Sequence, residues 1–177
     1  MKRINDSCRV TLTITLGLFV SGCGVLESSI IPLIKAETLK AEQVMSQLPS
    51  SEQNLPISAQ LIVNDEKIDL EVARTSQQQQ LGLMYRTELP KDRGMLFPFS
   101  ESIVASFWMK NVNISLDIIF VRDGVVDSIA RDVPPCPSEP CPIYRSQGFI
   151  NQVIELPGGR AKELNIRKGD KLNVIFF

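Results

Sequence analysis

Lys110, Asn111 and Asp117 stand in the most hydrophobic stretch of a 177-residue chain that contains no histidine. Without imidazole, Ser-His and Cys-His catalysis and the usual zinc sites are excluded, and chemistry falls to Asp, Glu, Lys, Arg, Cys or Tyr. An ammonium, a carboxamide and a carboxylate at one strand end and the start of the next need partners, because an unpaired buried charge is costly. In one reading, Lys110 and Asp117 neutralise each other while Asn111 holds a turn. In the other, the same three residues join Arg74 and Arg86 around an anionic or polyhydroxylated ligand, since guanidinium forks fit carboxylates and phosphates and Asp accepts sugar hydroxyls.

Two further classes stay open. Asp117 and Glu155 could serve as general acid and base on carbohydrate or peptide, which demands two carboxylates at a glycosidase-like separation and one raised pKa. No catalytic residue is assigned on that basis. A structural partner-binding module would instead show an exposed apolar patch. Met84, Met95 and Met109, with Phe97, Phe99, Phe107 and Trp108, read as core, because soft-metal ligation by thioethers needs closer spacing. No metal and no cofactor is expected. Nineteen basic and twenty acidic residues give a net charge of −1, and no Lys/Arg block is present to track a phosphate backbone, so nucleic acid is not an expected partner.

The cysteines divide by position. Lys2, Arg3 and Arg9 precede an apolar run from Val10 to Val20, too short to span a bilayer but suited to a secretory signal. The run ends in Val20-Ser21-Gly22-Cys23, a pattern similar to a bacterial lipobox whose cysteine carries lipid. Residues 1–22 are therefore expected to be a lipoprotein signal peptide, and residues 23–56 a lipidated N-terminus and flexible tether. The chain would be exported to the cell envelope, with the membrane as partner through its anchor. Cys136 and Cys141 remain for the mature chain. Two nearby cysteines in an exported protein most often pair, and four intervening residues in a proline-rich loop suggest a local staple rather than a redox centre.

Residues 57–177 must position these groups, and they carry the period of two that marks strands. Ala59 to Val63 and Lys67 to Ala73 flank Asn64-Asp65, with Ile68, Leu70 and Val72 on one face and Lys67, Asp69 and Glu71 on a wet one. Leu116 to Arg122 and Val125 to Ala130 flank Asp123-Gly124, which suits a type I′ turn. Gly94 to Phe99, Ser106 to Lys110, Phe149 to Leu156 and Lys171 to Phe177 add four short β-type runs. Thr75 and Gln78 form a capping box before Leu81, Met84 and Tyr85, and a second short helix is expected near Ala161 to Leu164. The expected fold is mainly β, a β-rich α+β domain: a compact antiparallel sandwich or partly closed barrel with one or two short helices.

Gly82-Leu83-Met84-Tyr85-Arg86, Leu89-Pro90 with Asp92, Gly94-Met95-Leu96-Phe97, Phe107-Trp108-Met109-Lys110-Asn111 and Leu116-Asp117-Ile118-Ile119-Phe120 occur in an order that resembles the domain of unknown function 192 family. The resemblance continues through the Cys136/Cys141 loop with Tyr144, Ile154-Glu155-Leu156 and Gly169-Asp170, nearly all of residues 59–175. It implies a small, mainly β, often exported domain, and implies no activity. Two departures stand out: Gln77 and Gln78 replace acidic residues common before the Gly-Leu-Met motif, and Ser115 replaces a proline common before Leu-Asp. The expected function is that of an envelope-anchored lipoprotein binding a small polar or anionic envelope ligand, such as an envelope glycan.

Overall fold

The computed structural model describes residues 51–177. The signal, Cys23 and most of the expected tether lie outside the described residues. The chain forms β1 (Ile57–Val63), β2 (Glu66–Val72), α1 (Ser76–Leu81), β3 (Arg93–Ile103), β4 (Ser106–Trp108), β5 (Leu116–Arg122), β6 (Val125–Val133), β7 (Ile143–Arg145), β8 (Ile150–Pro157), α2 (Arg160–Glu163) and β9 (Asn173–Phe176). The protein is mainly β with two short helices, as its periodicity indicates. Seven strands make one sheet in the order β6-β5-β8-β3-β2-β1-β9, and β4 pairs with β7 in a separate ribbon.

The large sheet is mixed and does not close into a barrel. Its one parallel pair is β2 with β3, where Leu70 lies opposite Gly94 and Glu71 opposite Met95. Between them α1 and the loop to residue 92 supply the crossover that a parallel connection requires. Alternation within single strands does not say which neighbour a strand will take, and the crossover lay hidden there. Gly94 permits the close packing: a Cβ there would sit 2.7 Å from the Glu155 carbonyl oxygen and 2.9 Å from Leu70. Both anticipated hairpins form, with Asn64, Asp65, Asp123 and Gly124 all at positive φ.

Each face of the sheet carries its own core. One gathers Leu61, Ile68, Leu70, Leu96, Ile119, Ile154 and Leu156 under α2 and Leu164 to Leu172. The other gathers Met95, Phe97, Ile118, Phe120 and Val153 under Leu81, Leu83, Met84 and Met109. Phe107 joins this second core edge-to-face with Phe97 and Phe120, at centroid distances of 5.2 and 6.1 Å. Trp108, expected inside, is 43% exposed, because β4 leaves the main sheet and turns its indole outward. Thr75 and Gln78 form the capping box as their spacing requires.

Candidate functional site

The five candidate binding residues do not converge. Arg74 is exposed and lies over the Phe176 ring at 5.7 Å. Asp117 is fully buried on the α2 face, where its two oxygens accept backbone N–H groups from Asp132 and Ala161, each at 2.6 Å. One bond pins the irregularity where β5 meets β6, and the other caps the first turn of α2. Lys110 pairs with Glu139 at 2.5 Å and lies over Trp108 at 5.5 Å, so the anticipated Lys110/Asp117 pairing is replaced by two separate structures. Nor can Asp117 and Glu155 form an acid/base pair: Asp117 lies opposite Leu156, one residue out of step, so the two carboxylates project from opposite faces.

Lys110 and Asn111 do share a surface. The Tyr85 amide donates to the Asn111 carbonyl at 2.7 Å, and the Asn111 carboxamide donates to the Tyr85 hydroxyl at 3.0 Å. Both residues hold left-handed backbone, with φ of 67° at Tyr85 and 59° at Asn111. Such a conformation costs a non-glycine residue free energy and persists only where its surroundings fix it. The reciprocal bonds join the loop after α1 to the loop after β4. They hold the phenol against the carboxamide, while Lys110, next to Asn111 in the chain, lies over the exposed Trp108 indole and pairs with Glu139 from the loop that Cys136 and Cys141 close.

Arg86, the residue after Tyr85, belongs to a buried charged centre. Arg86 donates to Glu71 at 2.7 Å, with side chains only 8% and 10% exposed, and to the Gln53 carbonyl at 2.6 Å. The register places Glu71, Met95 and Glu155 in one row across β2, β3 and β8, all facing the second core. Burial pushes the Glu155 carboxyl up to about 8, and the Arg86 charge only partly opposes that rise. Burial thus favours the neutral form of Glu155, while Arg86 takes Glu71 as its direct partner. The expectation that Glu71 faces water fails because the loop after α1 folds over the far end of β2. Strand alternation alone carries no signal of that cover; an arginine following the Gly-Leu-Met segment is the sole hint.

A cleft of about 340 Å³ lies on the opposite face, lined in part by Asn64, Asn165, Asp170 and Lys171. Its polar groups serve local turns: Asn64 donates to the Leu164 carbonyl and Asp170 accepts from Arg167. Among the described residues no three His, Cys, Asp or Glu side chains are gathered to hold a metal ion.

Residues 59–174 match the DUF192 family, described as an uncharacterized ACR. A candidate transcription regulator from Sinorhizobium meliloti is 34% identical with a TM-score of 0.59, over 66% of this chain and 91% of its own. A protein of unknown function from Novosphingobium aromaticivorans is 37% identical with a TM-score of 0.59, over 66% of this chain and 83% of its own. No curated protein matches the chain.

Proposed function

The chain belongs to the domain of unknown function 192 family, and we propose that this member is an envelope lipoprotein that binds a small polyhydroxylated or anionic envelope ligand. The binding surface is the junction of Tyr85, Trp108, Lys110 and Asn111. One observation carries the reading: two left-handed, non-glycine residues lock two loops together with the Tyr85 phenol against the Asn111 carboxamide, and the adjacent Lys110 lies over the Trp108 ring. Backbone held in sparsely populated conformations is concentrated where geometry serves recognition. An exposed aromatic face with a few convergent polar groups suits a sugar ring or a short anion, and Lys110 supplies the positive charge. Cys23 would anchor the domain at the membrane. A net charge of −1 without a basic block favours no nucleic-acid backbone as the ligand.

Trp108 is the chain's single tryptophan, so its emission reports on this surface directly. Titration with envelope glycan fragments and with inorganic phosphate should shift that emission saturably, and Asn111→Ala should weaken the response while the fold holds. A saturable response unchanged in Asn111→Ala, or no response to any fragment, removes the junction as a ligand site. A second reading, a partner-docking module, is favoured by the exposure of Val104 (49%), Trp108 (43%) and Ile143 (56%). It predicts that Ile143→Ser abolishes a pull-down partner without altering the glycan response. The anchor is tested separately, by loss of membrane fractionation in Cys23→Ser.

A further inference from the structure

Residues 52–56 belong to no strand, yet they are held as an extended peptide. Gln53, Leu55 and Ile57 turn inward while Glu52, Asn54 and Pro56 are exposed, the alternation of a bound strand. The Gln53 carbonyl accepts from Arg86 at 2.6 Å, and the Leu55 N–H donates to Glu71 at 2.7 Å. In extended backbone, the C=O of one residue and the N–H two residues later point to the same edge, where a neighbouring strand would supply a donor and an acceptor. Here the buried ion pair supplies them instead.

The inward side chains are read as well. The Gln53 carboxamide donates to the carbonyls of Gln78 and Gly82, at 2.8 and 2.9 Å. These carbonyls sit at the C-terminal end of α1, where the Gln78 oxygen also accepts the Gly82 N–H at 2.8 Å and so takes the carboxamide as a second donor. Two acceptors facing one group select an NH₂ and reject a carboxylate. Leu55 packs against the second core two residues on.

We propose that Arg86, Glu71 and the end of α1 form a binding site for extended peptides carrying a side-chain amide two residues before an aliphatic residue. Gln53–Leu55 occupies this site in cis, and an external peptide exchanges with it. The site is distinct from the Tyr85/Asn111 junction and does not depend on glycan binding there. Because the cis segment is tethered, its effective concentration lies roughly in the millimolar range, and a competitor must overcome it.

A fluorescent peptide of residues 51–57 provides the test, with full-length protein carrying Gln53→Ala and Leu55→Ala as the vacated receptor. The peptide should bind this variant at least about tenfold more tightly than wild type, a difference of about 1.4 kcal/mol. The same peptide with Glu in place of Gln should not bind. Absence of binding to a variant that still unfolds cooperatively, or equal binding of the Glu peptide, overturns the proposal. If the variant does not fold, hydrogen exchange of the Leu55 amide in wild type decides instead: protection should fall as peptide is added at millimolar concentration, and unchanged protection overturns the exchange.

Discussion

Glu71 and Glu155 face the same side of the sheet with Met95 between them, and only Glu71 meets Arg86 directly. Folding raises the Glu155 carboxyl from 4.5 to about 8 by desolvation, with Arg86 opposing. The folded state therefore holds a proton that the unfolded chain releases. Its contribution to stability is complete below the unfolded value and is lost as pH rises through the folded one. Stability should fall between 4.5 and about 8 by at most about 1.4 kcal/mol per pH unit from this group, then level off. Glu155→Gln should remove that slope, which urea midpoints measured across the interval will show. An unchanged slope in the variant would assign the titration elsewhere.

Arg86→Met should destabilise the domain by roughly 3–5 kcal/mol, the usual result of stripping one partner from a buried ion pair. Both Glu71 and the Gln53 carbonyl lose their donor, and segment 53–55 should become accessible to protease. Glu71→Gln is the informative companion. It leaves the Arg86 charge facing Glu155 alone, so the Glu155 titration should move down in pH, read from the pH dependence of unfolding.

Asp117→Asn separates a structural carboxylate from a ligand-binding one. A carboxamide oxygen can accept one of the two backbone N–H groups now bound, but its NH₂ opposes the other. Loss of a hydrogen bond to a charged acceptor costs roughly 1.5–3 kcal/mol. Equilibrium unfolding should show that cost, while the Trp108 response to glycan fragments stays at its wild-type level. A stable variant with an altered ligand response would contradict the role of Asp117 as a clasp between β6 and α2.

How far the fold was readable follows from which forces were local. The Asn64-Asp65 and Asp123-Gly124 turns and the Thr75/Gln78 box depend on near neighbours, and residue type indicates them directly. The β2/β3 parallel pairing depends on a crossover, and β7 is a three-residue strand whose partner lies in β4. Neither leaves a periodic trace. The candidate site shows the same division: polarity in an apolar run marks Lys110 and Asn111, which are adjacent in the chain, with Asn111 bonded to Tyr85 and Lys110 over Trp108. Glu71 alternates like any solvated strand residue, and only the arriving loop and segment 53–55 bury it. Asp117 is conspicuous as a carboxylate in an apolar run, but its partners are backbone amides, which composition does not display.

Cys136 and Cys141 are joined across a separation of 5 residues, with their Cα atoms 5.6 Å apart. Loop closure over so few residues restricts the unfolded chain little, and removing the bridge should cost about 2 kcal/mol at most. Its larger effect should be local, because the closed loop carries Glu139, whose carboxylate holds Lys110 at 2.5 Å. Lys110 in turn lies over Trp108. Opening the loop frees Glu139 and loosens Lys110, so a paired Cys136→Ser and Cys141→Ser variant should shift Trp108 emission far more than it shifts the unfolding midpoint. Lys110→Gln should reproduce the emission change with the bridge intact. A large fall in midpoint without an emission change would make the disulfide a global brace and would separate it from the Trp108 surface.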